Sequence, residues 1–137
     1  MEIIYRTSLA AVDWTRMKEA LVSNNFDNGR SPEQLRASFQ NSYAAVVAYD
    51  QDRIVGTARV LSDGICNAYI VDVWTLSDYR NQGIGQTMMT TLEEALEGQH
   101  IYLFSEDAVD FYKKLGFSEQ PTGLSKVKGK WLVKRDL

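Results

Sequence analysis

The chain has 137 residues, 45% of them hydrophobic, with 15 Lys plus Arg against 18 Asp plus Glu and a formal net charge of −3. That suits one domain over residues 1–137 whose core needs no disulfide, and a single cysteine, Cys66, allows none within the chain. An acidic chain with one His, no apolar run near the roughly 20 residues that cross a bilayer and no export-signal layout at Met1-Glu2-Ile3-Ile4-Tyr5-Arg6 is expected to be cytoplasmic, with no metal, no nucleic acid and no membrane partner.

Ile3-Ile4-Tyr5 reads as a short first strand, and Val12, Met17, Leu21 and Val22 share a face of a helix over about residues 12–22. The polar loop from Asn24 to Gly29 is a plain connector or a substrate entrance. Ser31, before Pro32 and three ahead of Gln34, has the layout of a helix cap, with Leu35 and Phe39 one turn apart behind it. Residues 43–49 and 54–61 are strand-like runs about a hairpin loop, Asp50-Gln51-Asp52-Arg53. The turn Ser62-Asp63-Gly64 leads into a third run over residues 67–76, which completes an antiparallel meander. From Gly83 to Glu97, Ile84, Met88, Leu92 and Leu96 recur every four residues as one face of an amphipathic helix, with Gly98 as its stop. Residues 101–104 form a short buried strand, and Ala108, Phe111, Tyr112 and Leu115 mark a last helix closed by Gly116. A final pair of strands is expected about Lys128-Gly129-Lys130, the last through Trp131-Leu132-Val133.

Charge concentrates at that end. Residues 1–125 hold 10 basic and 17 acidic side chains, and residues 126–137 hold 5 and 1, namely Lys126, Lys128, Lys130, Lys134 and Arg135 against Asp136. Spacing by two reads as one solvated strand face, or as an anion-facing edge. The element order argues for an α/β fold, a mixed, mostly antiparallel sheet flanked by helices with a strand-helix-strand crossover at its centre.

The most informative segment runs from Val73 through Gln86 as strand, loop, glycine turn and helix. The first amides of a helix have no acceptors within it, and the helix dipole adds partial positive charge there. Gly83 and Gly85 remove side chains that would hold a phosphate off the backbone, and Arg80 brings a cation beside it. The segment is a site for a pyrophosphate. A dinucleotide-binding turn would need a third glycine where Met88 stands, and the Gly-Lys-Ser/Thr of a P-loop is absent.

Arg80-x-x-Gly83-x-Gly85 at the head of an amphipathic helix resembles the acetyl-CoA signature of the GCN5-related N-acetyltransferase (GNAT) superfamily. Ala108-x-x-Phe111-Tyr112-Lys113-Lys114-Leu115-Gly116-Phe117 resembles that superfamily's last helix and its Gly-Phe strand entry. Together, Asn41-Ser42-Tyr43, Ser62-Asp63-Gly64, Asn67-Ala68, Asp72-Val73 and Leu103-Phe104-Ser105 look like the plant-plastid and cyanobacterial branch that includes serotonin (arylalkylamine) N-acetyltransferases. Some plastid members of that branch acetylate protein lysines and N-termini.

The resemblance implies a GNAT fold with a splayed central strand pair, acetyl-CoA as cosubstrate and an amine acceptor. It places the diphosphate on the main chain of Asn81, Gln82, Gly83, Ile84, Gly85 and Gln86 beside Arg80. Backbone donors to the thioester carbonyl fall around Val73, Trp74 and Thr75. Tyr112 matches the usual acid for the leaving thiolate, its other reading being a core aromatic beside Phe111. Ser105 stands where the superfamily often has an Asn touching the pantetheine arm. Asp72 is the first candidate for the base that deprotonates the amine; it also reads as a strand cap or a partner of an arginine such as Arg59. Tyr69 and Tyr79 are alternative relays through water. No enzyme nucleophile is needed, so Cys66 reads as packing and His100 as surface. Tyr43, Tyr49, Tyr69, Trp74 and Trp131 read chiefly as core or sheet-face aromatics.

Three functions fit these residues: an N-acetyltransferase for small primary amines such as arylalkylamines, a protein lysine or N-terminal acetyltransferase, and a coenzyme-A-binding sensor without catalysis. Superfamily members often form homodimers through late strands, which makes Trp131-Leu132-Val133 a candidate edge.

Overall fold

Local chemistry sets the helix starts. In the computed structural model, which describes residues 2–132, Ser31 Oγ accepts from Gln34 N at 3.1 Å and Ser31 N donates to Gln34 Oε1 at 2.9 Å. This reciprocal cap opens α2 (Pro32–Gln40). Asp13 caps α1 (Trp14–Ser23) by accepting from Arg16 N at 3.1 Å. The two helices pack on each other, with Trp14 and Phe39 rings 5.5 Å apart and Met17, Leu21 and Leu35 buried.

The sheet has the order β1 (Ile3–Arg6), β2 (Ala44–Asp50), β3 (Arg53–Ser62), β4 (Asn67–Thr75), β5 (His100–Tyr102). All neighbours are antiparallel except β4 and β5, which run parallel. The meander expected from the sequence is β2-β3-β4. Residues 45–49 of β2 are buried on both sides of the pleat, so helices cover both faces. Helix α3 (Ile84–Glu93) lies on one face, where Met88 comes so close to Gly56 that a Cβ there would stand 3.0 Å from its terminal methyl. The opposite face of β3 meets α1 and α2: the Arg59 guanidinium lies over the Phe39 ring and donates to Ser38 O.

Two features of β4 position the site. Pairing with β5 is confined to Asn67–Tyr69 against His100–Tyr102, so β4 runs on through Thr75 with no strand paired on that side among the described residues. This is the splay that the resemblance implies. The register with β3 also slips: Val71 faces Arg59 and Trp74 faces Thr57, leaving Asp72 and Val73 opposite one residue, a β-bulge with Asp72 at φ 55°.

Three expectations are corrected. Helix α3 stops at Glu93, although Leu96 beyond it stays buried. The strand expected to be buried over residues 101–104 is β5, which ends at Tyr102 and has His100 and Tyr102 exposed, whereas the last helix forms where expected, as α4 (Val109–Lys114). The terminal strand pair does not form across residues 118–132: Leu124, Val127, Trp131 and Leu132 are exposed, and no apolar face fixes a register. Lys126, Lys128 and Lys130 lie on irregular chain. Val133, Lys134 and Arg135 fall outside the described residues.

Candidate active site

The loop between β4 and α3 begins with a 3-10 turn (Ser77–Tyr79) and is tied down on two sides. Asn24, at the end of α1, accepts through Oδ1 from Trp74 Nε1 at 3.2 Å, Ser77 N at 3.0 Å and Ser77 Oγ at 3.1 Å. Arg80 Nε donates to Thr75 O at 3.2 Å, holding the cation against the end of β4. Asn81 (φ 62°) and Gly83 (φ 81°) then turn the chain into α3.

Gly83 is the N-cap and offers no side-chain acceptor; the first helical bond runs from Thr87 N to Gly83 O at 3.0 Å. The amides of Asn81, Gln82, Gly83, Ile84, Gly85 and Gln86 therefore donate to no described protein group. Six consecutive free donors at a helix N-terminus form a cradle for an anion. Gly85 opens that cradle toward α4, since a Cβ there would stand 3.2 Å from the Phe111 ring. The residues present thus fit a diphosphate.

Along β4, Leu76 N donates to Val55 O at 2.8 Å. Main-chain groups of alternate strand residues point to the same neighbour, so Trp74 faces β3 and Thr75 faces the splay. The Trp74 ring is buried, and its amide, paired toward β3 opposite Thr57, does not open into the gap, unlike the donor role expected of it. Thr57 Oγ1 donates to Asp72 O at 2.9 Å, drawing that carbonyl toward β3. In a trans peptide the N–H points opposite to the carbonyl, and no cis bond is present among the described residues, so Val73 N–H is aimed into the gap.

The Asp72 side chain is fully engaged. Arg30 grips it with a two-pronged contact, Nη1 to Oδ2 at 3.0 Å and Nη2 to Oδ1 at 2.9 Å, and Arg59 Nε adds a bond to Oδ2 at 2.5 Å. Burial opposes ionisation of this carboxyl, but the hydrogen bonds and charges of Arg30 and Arg59 outweigh it and hold the pKa below the usual range. A carboxylate with both oxygens occupied by guanidinium donors is a poor proton acceptor, so the geometry realises the pairing with Arg59 and argues against the general base.

Tyr112, on α4, lies half-buried between Phe111 and Phe117, ring centroids 5.0 and 5.8 Å away. Burial first, and then the Asp107 charge, push its phenol above the ordinary tyrosine value. It stays protonated at neutral pH, and its hydroxyl bonds to no other described residue. Ser105 Oγ accepts from Ala108 N at 3.0 Å, steadying the approach to α4. Tyr79 is bound to Asp50 through its hydroxyl, with Arg53 over its ring, which leaves it no open hydroxyl proton for a relay. Tyr69 is exposed and packs edge-on to Phe104 at 6.0 Å, where β4 and β5 part.

His100 is on the surface, as read from sequence, and contacts Tyr102. Cys66 is exposed in a turn rather than packed. Tyr49 and Trp74 are buried, whereas Tyr43 and Trp131 are half-exposed. A separate open hollow of about 700 Å³ lies between α1 and the β2–β3 turn, lined by Arg16, Glu19, Asp50, Asp52 and Arg53. Its mixed charges give it no converging donors. Asn24, Arg30 and Thr57 were not singled out as site residues: Asn24 stood in a polar loop, and nothing marks a buried Arg or a strand Thr without its partners.

Residues 41–119 match the acetyltransferase (GNAT) domain family, and the chain belongs to it. Over 110 residues the chain is 32% identical to the histone acetyltransferase TAP1 of Glycine max, aligning 69% of this chain and 48% of that protein. Over 78 residues it is 37% identical to the chloroplastic GCN5-related N-acetyltransferase 2 of Arabidopsis thaliana, aligning 54% of this chain and 30% of that one. The chain spans half or less of the length of these relatives. In fold it is similar to a GNAT family acetyltransferase from Streptococcus pneumoniae, with a TM-score of 0.78, 23% identity and coverage of 94% of this chain and all of that one.

Proposed function

We propose that the chain is an acetyl-CoA-dependent N-acetyltransferase that moves the acetyl group to a primary amine by direct attack within a ternary complex. The six free amides from Asn81 to Gln86, set at the mouth of the β4–β5 splay, carry this reading. They take the diphosphate, with Arg80 beside them. Acetyl-CoA supplies an acyl thioester already activated for transfer. Val73 and Thr75 present main-chain groups to the gap between the strands, where an extended pantetheine arm pairs as a peptide would. Val73 N–H donates to the thioester carbonyl oxygen as charge builds there.

The neutral amine attacks the carbonyl carbon, an N–C bond forms and the C–S bond breaks. Tyr112 gives its proton to the departing sulfur and is reprotonated from solvent. With Asp72 held by two arginines, the proton lost from the amine passes to water. Ser105 retains a hydroxyl proton to offer the arm, because its oxygen is only an acceptor toward Ala108.

The acceptor we assign is a small primary amine of the arylalkylamine kind. The likeness to the serotonin N-acetyltransferase branch and the exposed Tyr69–Phe104 pair where the strands diverge support it. A second reading, transfer to protein lysines or N-termini, draws on the name of the soybean relative. No helix among the described residues is long and apolar enough to cross a membrane. The Arabidopsis relative is named chloroplastic, so plastid and cytoplasm both suit the reading.

Thiol release from acetyl-CoA, measured with tryptamine-like amines, polyamines and lysine peptides, tests the proposal. Turnover with the first group is expected, and Tyr112→Phe should lower it far more than it lowers coenzyme affinity. Binding of acetyl-CoA with no turnover of any amine would make the protein a sensor instead.

A further inference from the structure

We propose that Thr57 is a positioning residue for catalysis, its hydroxyl fixing the direction of the Asp72–Val73 peptide so that Val73 N–H meets the thioester carbonyl. This rests on the acetyltransferase reading above and adds to it a side chain that lies on β3, across from the splay.

Three observations converge on that one peptide. Thr57 is 1% exposed and sits opposite Trp74, at the edge of the slipped register. Its Oγ1 donates to Asp72 O at 2.9 Å, a carbonyl that the bulge has removed from the regular ladder. Without that bond the carbonyl would be buried and unsatisfied, and the peptide could relieve this by rotating, which would turn Val73 N–H out of the gap. The second observation is the conformation of Asp72. A φ of 55° is left-handed backbone, which Asp visits more readily than most residues but which support from its surroundings makes the one conformation kept. Arg30 and Arg59 provide that support by pinning both carboxylate oxygens on the α1–α2 side of the sheet. The third is the absence of a competing partner: pairing with β5 ends at Tyr69, so nothing on that strand takes the amide that the clamp exposes. Hydroxyl and ion cluster act from two directions, one on the carbonyl and the other on the side chain, and the donor is what they leave free.

Thr57→Val keeps the shape of a β-branched residue and deletes only the hydroxyl; Thr57→Ser restores it. In Thr57→Val, kcat is expected to fall about 10-fold to 100-fold, the scale of a misplaced catalytic group. Acetyl-CoA affinity, measured by calorimetry, should stay within about 2-fold, because the diphosphate cradle is untouched. Thr57→Ser should recover most of the loss. A readout that needs no turnover is the infrared stretch of [1-13C]acetyl-CoA bound to the protein. A hydrogen bond lowers it in the wild type, and Thr57→Val should shift it back toward the free value. The same stretch in wild type and Thr57→Val, or parallel losses of affinity and turnover, would overturn the clamp while leaving the coenzyme site standing. Failure of the wild type to bind acetyl-CoA would overturn both.

Discussion

At Gly85 the demand on the backbone is steric rather than conformational. A Cβ at this position, the second residue of the helix whose first amides are free, would approach the Phe111 ring to 3.2 Å. Gly83 differs: its φ of 81° needs glycine, yet nothing stands within 4 Å of where its Cβ would be. Gly85→Asp combines crowding with a negative charge placed where a diphosphate is to sit. Acetyl-CoA affinity should drop by more than about 10-fold, roughly 1.4 kcal/mol or more, as read by calorimetry. Equal affinity in mutant and wild type would contradict the phosphate assignment. The same scale separates Tyr112 from Asp72. Both are largely buried polar residues, but the phenol keeps an unbonded hydroxyl among aromatic rings, while the carboxylate is saturated by Arg30 and Arg59.

Among the elements, α2 was readable because its signal is contained in four consecutive residues. Ser31, Pro32 and Gln34 build the cap without help from the rest of the chain. Ser31→Ala should therefore cost about 0.5–2 kcal/mol of stability, measured by urea unfolding, with the native spectrum retained. A change below a few tenths would mean that packing of Leu35 and Phe39 alone sets the helix start. Helix α3 shows the limit of such reading. Its four-residue stripe runs on to Leu96, which is indeed buried, yet Ala95 N and Leu96 N already bond three residues back, to Leu92 O and Glu93 O, and the α-helix has ended. The stripe reports which residues are covered, not which geometry carries them. Residues 126–130 repeat the lesson in reverse: alternation of Lys with Val127 and Gly129 imitates a strand, but too little apolar surface stands behind it to hold a register. The bulge in β4 left no mark in the sequence, since an extra residue becomes visible only when the opposite strand is counted against it.

For the molecule as a whole, what could be read follows sequence distance. The glycine turn from Arg80 to Gln86 is one continuous stretch, so its entry into α3 and its row of free amides could be read from neighbouring residues alone. Arg30 and Asp72 are 42 residues apart, in a loop and a bulge that meet only because α1 and α2 cover the face of the sheet bearing Arg59. This cluster joins the helical layer to the sheet beneath the site, and its protonation is felt by the whole fold. The sign follows from the depressed pKa of Asp72. Between the folded value and the unfolded value near 3.8 the unfolded chain binds more protons, so the stabilisation is complete above the unfolded value and is lost as pH falls through the folded one. Asp63, whose carboxylate accepts from the amides of Cys66, Ile65 and Asn67, acts in the same direction, and Glu93, raised by burial, acts in the opposite one. Asp72→Asn isolates the cluster from both. At pH 7 it leaves two largely buried guanidinium groups without their counter-charge, and the loss should be about 3 kcal/mol, at the lower end for a broken buried pair because amide oxygen still accepts from Arg30. As pH falls below the usual carboxylate range, the wild type protonates the same group and the difference between the two proteins should shrink toward zero. Urea unfolding of both at intervals from pH 7 to pH 2 measures this directly; a gap of constant size across that range would mean that the ion cluster does not bind the helices to the sheet.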